Sequence, residues 1–539
     1  MTAAAFAGVA GVAWCADTNA LSLAATIERV LAHNESLQIK QLEAEIGNRT
    51  YRAERGIFEP QVVGSVDRTD NRRPNNAQQR ATFNSQILNT PLGTIDRLIE
   101  RNTIYNGGVE VLTPTGAKVH TGYTLRQLRN NIQGTGISGP GPDLETFIGA
   151  NLTQPLLKNF GPGPTMAKMR LAALASDIAF QEYRKQLMLV VSQAEAAYWD
   201  VYLTQEQERI SGESVVLAGK ILADNQVRQQ VGRASELEVL QAEAGMALRK
   251  SKLNDARVKV VESASRLMGL LSDTSMVTNG MVRASEAPTI VAATLELQQN
   301  FQEAFNANPD YLIRQHQLTQ DGIRLKYARN QRLPEVDLKA SWGLNGLGRT
   351  AGESWDDVER HGFPTWSVGV EMRIPAFGGV KERNELEAAK LGRTRSLVAA
   401  KEAEVQIANA LGSAASRVQT YLDSMRSQQG VVEFHQKLLA AQLARLEVGS
   451  IESRVVLETE EKLAEAKVAV IEDHVLYRKA LLELDLARGS TLAARQMEIT
   501  KDQLHAKTVA TLKERKWSAA ELEKYQKKVV NELEKRMAY

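Results

Sequence analysis

The placement of proline most limits what this chain can fold into. All 14 prolines lie in two windows, nine from Pro60 to Pro164 and five from Pro288 to Pro375. Inside a helix, proline removes a backbone hydrogen bond and clashes with the preceding turn, at a cost of about 3 kcal/mol or more. Long helices are therefore permitted between Pro164 and Pro288, and again after Pro375. The content of these stretches agrees. LEVLQAEAGMALRKSKLNDARVKVVESASRL is rich in the strong helix formers Ala, Leu, Glu, Lys, Arg and Gln. Leu237, Leu240, Ala244 and Ala247, then Val258 and Val261, recur at the steps of a coiled-coil seam narrowed by alanine.

Composition removes several function classes. With 66 Lys and Arg against 64 Asp and Glu, the chain lacks the basic field that nucleic-acid binding requires. No apolar run reaches the ~20 residues of a transmembrane helix. Cys15 is the single cysteine, which excludes a disulfide framework and a thiolate metal cluster. Residues 1–16, MTAAAFAGVAGVAWCA, read as a truncated secretory signal with Ala13 and Cys15 at the −3 and −1 positions.

The chain also repeats itself. AHNESLQIKQLEAEIGNRTYRAERGIFEPQV aligns with ANPDYLIRQHQLTQDGIRLKYARNQRLPEV, placing Asn34 on Asn308 and Pro60 on Pro334. IGANLTQPLLKNFG aligns with VGVEMRIPAFGG, placing Pro155 on Pro375. VGRASELEVLQAE aligns with VGSIESRVVLETE, placing Gly232 on Gly449 and Glu243 on Glu460. The interval from Pro60 to Pro155 exceeds that from Pro334 to Pro375 by 54 residues, an insertion in the first copy. The sequence thus divides into a leader (1–16), a first repeat (17–271), a linker (272–293), a second repeat (294–488) and a C-terminal helical extension (489–539).

Each repeat opens with a helix, about Ser22–Ile57 and Thr294–Arg329, and continues into strands over 60–155 and 334–375. VDLKASWGL, TWSVGVEMRI and FIGANLTQPL alternate apolar and polar residues, as half-buried strands do. VEVLTPTGAKVHTGYTL adds a hairpin within the insertion, turning at Thr113-Pro114-Thr115-Gly116. A helical hairpin follows in each copy, over 164–271 and 379–488, with Gly232 and Gly449 where the chain turns back. The insertion, with its hairpin around Pro114, NRRPNNAQQR and GTGISGPGP, reads as loop chemistry at the outer end of the strands.

No constellation of catalytic residues accompanies this architecture. GTGISG at 134–139 matches a dinucleotide loop literally, but Pro140-Gly141-Pro142 follows where a helix would have to start. The seven histidines show no metal-ligand spacing, and Glu472-Asp473-His474 sits on a charged helix face. The chain reads as no enzyme, with no cofactor and no metal.

The duplicated asparagines Asn34 and Asn308, the signature GANLTQPLLKNFG with its partner GVEMRIPAFGGV, and the paired Val231-Gly232 and Val448-Gly449 together resemble the TolC-like outer-membrane efflux and secretion channels. The resemblance covers nearly the whole chain. It implies a mainly α fold with a small β part. Duplicated long antiparallel coiled-coil helices would form a trimeric α-barrel tunnel in the periplasm. Above it would stand a transmembrane β-barrel in the outer membrane, to which each protomer gives about four strands. The physics of closure agrees, since four strands are too few for a closed membrane barrel and open edges are prohibitive in lipid. Trp342, Trp355, Trp366 and Phe363, with Tyr105, Tyr123 and Phe147, fit an aromatic girdle.

The implied partners are two further copies, outer-membrane lipid, and a periplasmic adaptor joined to an inner-membrane RND or ABC pump. The adaptor would dock at Val231–Leu237 and Val448–Ser453, that is on Val231, Gly232, Leu237, Val448, Gly449 and Ser453. The family's acidic constriction, carried over from the tip glycines, falls on Glu238, Val455 and Glu458, so Glu238 and Glu458 are the gate candidates and the acid at Val455 is lost. A solvated helix charge is the commoner fate of any glutamate. The family's Tyr and Arg lock would fall on Leu446 and Ile451, which cannot form it. The expected function is passive export through the exit duct of a tripartite efflux pump or type I secretion system. A periplasmic coiled-coil scaffold outside the membrane is the alternative.

Overall fold

The computed structural model describes residues 20–78, 80, 96–131, 141–271, 282–290, 296–360, 362–375 and 379–514. The leader, the GTGISG stretch, most of the linker and the chain beyond residue 514 lie outside the described residues. The strands are β1 (Ala20–Leu21), β2 (Gln61–Pro74), β3 (Arg97–Leu112), β4 (Lys118–Leu128), β5 (Asp143–Pro155), β6 (Arg283–Ala284), β7 (Glu335–Gly348) and β8 (Phe363–Arg373). The helices are α1 (Leu23–His33), α2 (Glu35–Arg55), α3 (Ala167–Gln230), α4 (Glu236–Leu271), α5 (Leu297–Ala307), α6 (Pro309–Gln331), α7 (Ala351–Arg360), α8 (Val380–Glu447), α9 (Ser453–Arg488) and α10 (Lys501–Glu514). Among the described residues, no helix is long and apolar enough to cross a membrane.

The chain forms two compact units, each drawing on both sequence repeats. One comprises residues 1–46, 178–315 and 399–539, the other residues 47–177 and 316–398.

The first unit is helical. Its cores are narrow because the packed faces use small residues: Ala194, Ala218, Ala264, Ala304 and Ala414 are all buried, interleaved with Val191, Val201, Leu267 and Leu411. Tyr198 fixes the short parallel pair of β1 and β6. Its hydroxyl donates to the Leu21 carbonyl at 3.1 Å and accepts from the Ser285 and Glu286 amides at 3.1 and 3.0 Å. Glu195 is buried, and its charge is matched by Arg478 at 2.9 Å and Arg495 at 2.6 Å.

The opening helix of each repeat, expected as one piece, is two. Asn34 and Asn308 break it because an asparagine carboxamide caps the following helix. Asn34 Oδ1 accepts from the Leu37 amide at 3.0 Å, and Asn308 Oδ1 from the Asp310 and Tyr311 amides at 2.9 and 3.3 Å. Pro309 then takes the first helical position, where no amide hydrogen is needed.

The second unit holds one antiparallel sheet in the order β2-β3-β4-β5-β7-β8. It has six strands rather than four, because the insertion is a hairpin that enters the sheet. In the second copy β7 and β8 pair directly, whereas β3 and β4 separate β2 from β5 in the first. The turn at Pro114 is not at the outer end either. Gly161 donates to the Thr115 carbonyl at 2.9 Å, so the turn lies at the end of the sheet from which α3 departs. A hairpin inserted between two strands must place its own turn opposite the loops that join it to them.

Candidate functional site

The first candidate is the pair of helix tips in the helical unit. Gly232 and Gly449 take φ of +71° and +75°, a region that strains any residue with a Cβ. Each closes its long helix in the same way. Gly232 and Arg233 donate to the carbonyls of Gln229 and Arg228, while Gly449 and Ser450 donate to those of Leu446 and Arg445, all within 3.0 Å. This double bond pattern ends a helix and satisfies its last carbonyls. It leaves Val231, Leu237 and Val448 more than 60% exposed. Ser453 is buried instead, its hydroxyl accepting from Asn225 Nδ2 at 2.8 Å and so tying one tip to the other.

The two gate candidates are engaged locally. Glu238 and Ser235 form a capping box, in which Glu238 Oε2 accepts from the Ser235 amide at 3.0 Å and Ser235 Oγ from the Glu238 amide at 3.3 Å. Glu458 is exposed and pairs with Arg454 on its own helix. Val455 is half-buried, and Leu446 and Ile451 pack with Ala218, Ile221, Val456 and Leu457. Apolar packing therefore occupies the places of the polar lock.

Just beyond the tips lies a buried polar cluster that sequence reasoning missed. Arg249 on α4 and Glu460 on α9 have side chains only 6% and 8% exposed. Arg249 Nε donates to Glu460 Oε2 at 2.9 Å, Nη1 to the Gly245 carbonyl at 3.2 Å and Nη2 to the Leu457 carbonyl at 2.5 Å. Ser214 Oγ supplies the other carboxylate oxygen with a donor. Burying a charge is tolerable only when it is paired and hydrogen-bonded, as both of these are. Nearby, the Lys252 ammonium bonded to Glu461 holds that carboxyl below its ordinary range.

The expected seam on α4 does not pack inside the chain. Val239, Ala242, Ala256, Val260 and Leu267 are buried, whereas Leu237, Leu240, Val258 and Val261 are about half exposed or more. The helix carries two apolar stripes, and the one read from the sequence has no partner among the described residues.

The second candidate is the six-stranded sheet. Residues directly opposite in antiparallel strands share a face, so register sorts the side chains. One transverse row runs Val62, Val109, Thr121, Ala150, Trp342, Trp366, and the next runs Gly64, Gly107, Tyr123, Ile148, Leu344, Pro364. Over these rows the face is apolar across all six strands, and it turns polar farther along β2 and β3 at Arg68, Asp70 and Arg101. The other face is polar: Asn106 Nδ2 donates to Ser65 Oγ at 3.0 Å, Thr124 Oγ1 to Asn106 Oδ1 at 2.9 Å, and the Ser341 and Ser367 hydroxyls meet at 2.7 Å. Lys339 and Arg373 pair there with Glu371.

Of the girdle candidates, Tyr105, Tyr123, Trp342 and Trp366 stand on the apolar face. Trp355 joins them from α7, its ring 5.8 Å from that of Tyr123. Phe147 and Phe363 do not, since both are opposite Asn345 and so point to the polar face. Clustering in sequence cannot reveal this, because neighbouring strand residues alternate faces.

Residues 300–490 match the family model for outer membrane efflux proteins. The outer membrane efflux protein BepC of Brucella suis biovar 1 (strain 1330) is 23% identical over 380 residues, covering 69% of this chain and 79% of that one. The second repeat thus carries the match to the outer membrane efflux proteins. The fold of the chain is that of solved outer membrane channels at low identity. The CmeC outer membrane channel of Campylobacter jejuni superposes with a TM-score of 0.56 at 16% identity, over 94% of this chain and 97% of that one. The outer membrane protein VceC of Vibrio cholerae gives 0.57 at 15% identity, over 87% and 96%. This efflux protein family is one of channels, not an enzyme class, and among the described residues no group of His, Cys, Asp or Glu could hold a metal.

Proposed function

We propose that this protein is the outer-membrane exit duct of a tripartite efflux pump or type I secretion system, working as a homotrimer and exporting its cargo passively. The observation that carries this reading is the two-faced sheet. An apolar band across all six strands, opposite a mainly polar face, suits a wall between lipid and a water-filled lumen, and it has no use in a periplasmic scaffold. The unpartnered stripe Leu237, Leu240, Val258, Val261 on α4 supports self-association, because an exposed seam of that spacing is completed by another helix.

In this reading the sheet lies in the outer membrane and the helical unit in the periplasm. The exposed tips around Val231-Gly232 and Val448-Gly449 receive the adaptor, which links the duct to an RND or ABC pump. Glu238 and Glu458 gather around the threefold axis as acidic rings, and closure rests on the apolar packing at Leu446 and Ile451.

Deleting the gene tests the function. Cells should accumulate a fluorescent efflux dye, or lose a secreted protein from the medium, and regain the wild-type state on complementation. No change in either readout would overturn the proposal.

A further inference from the structure

Among the described residues, both sheet edges are open. Along β2, Val62 and Val66 are 87% and 67% exposed, and along β8, Trp366 and Val368 are 72% and 65% exposed. Fourteen and eleven residues long, these edge strands carry rows of unpaired backbone groups. In lipid such groups must be paired, and six strands are below the roughly eight of the smallest known membrane barrels. The strands are antiparallel throughout and even in number, so β8 of one copy lies antiparallel to β2 of the next. The apolar and polar faces then continue across the junction.

The inserted hairpin belongs to this wall. β3 and β4 are 16 and 11 residues long, enough for a tilted strand of about 9–11 residues to cross a bilayer. Val109, Val111, Tyr105, Val119 and Tyr123 extend the apolar face over them. On the polar face, Gly108, Gly122, Gly149 and Gly343 stand directly opposite one another on β3, β4, β5 and β7. A Cβ at any of the four would meet a backbone oxygen of the adjacent strand at 2.5–2.7 Å. Such crowding on one face is what sharp curvature toward that face produces, and glycine rows of this kind bend barrel walls. The bend line runs without a break through inserted and original strands.

Resting on the exit-duct reading, we infer that each chain gives six strands to one wall, closed by β8 of each copy on β2 of the next, so that three copies build an eighteen-stranded barrel. At a strand spacing of about 4.8 Å and a tilt of about 40°, eighteen strands enclose about 36 Å between backbones, against about 24 Å for twelve. That is the girth of a porin, which leaves a broad aqueous lumen.

Electron cryo-microscopy of the full-length protein in lipid nanodiscs tests this directly. A trimer with eighteen wall strands, β3 and β4 among them, is the expected result. A trimer with a twelve-stranded wall and residues 97–128 outside it would overturn this inference and leave the duct intact. A particle that is not a trimer would overturn the duct reading, and this inference with it.

Discussion

At the scale of single residues, the informative side chains are those whose partners lie far away in sequence. Arg249 falls inside a helical stretch where Lys and Arg are common, and Glu460 is one acid among several. Only packing shows that they meet, 211 residues apart, inside a helix bundle. Removing one partner of such a pair leaves the other charge buried and alone, at a cost of about 3–5 kcal/mol. Arg249→Met should therefore lower the melting midpoint of the helical signal sharply, and Arg249→Met combined with Glu460→Leu should recover much of the loss. Equal destabilisation by the single and double variants would contradict the assigned pairing. The glutamates proposed for the gate make a different prediction. Carboxylates crowded at a pore bind multivalent cations, so such cations added on the periplasmic side should block conductance in planar bilayers. Replacing both Glu238 and Glu458 with Ala should abolish the block; if it persists, the constriction lies on other residues.

At the scale of elements, periodicity was a reliable guide wherever it described one continuous segment. The proline-free windows hold helices of 64 and 68 residues, and both returning helices have 36. Gly232 and Gly449 were legible as turns because a left-handed cap needs glycine. What the sequence hid is pairing. Composition made the insertion look like surface loop, since its Gly and Asn residues serve loops and barrel strands alike. The exposed stripe on α4 is legible as a seam, but a heptad does not say which helix will cover it. Two predictions belong here. Gly232→Ile and Gly449→Ile force a β-branched residue into left-handed backbone, so export should fall while the protein still reaches the outer membrane. Undiminished export would remove the tips from adaptor docking. Val368 and Ser367 are adjacent yet face opposite sides. Arginine at the lipid-facing position costs about 2–4 kcal/mol near the bilayer midplane, so Val368→Arg should reduce the membrane-assembled fraction, and Ser367→Arg should be tolerated. The reverse order would invert the assignment of the two faces.

At the scale of the whole molecule, one chain is an unfinished object. Among the described residues its sheet ends in two open edges and its tip helix carries an apolar stripe with no internal partner, and the proposed acidic gate needs several copies around an axis. Each deficit is met by the same proposed assembly, a trimer. Native mass spectrometry of the protein extracted from outer membranes in mild detergent tests it most directly. Particles of three chains are expected; monomers alone, under conditions that preserve known membrane oligomers, would refute the trimer.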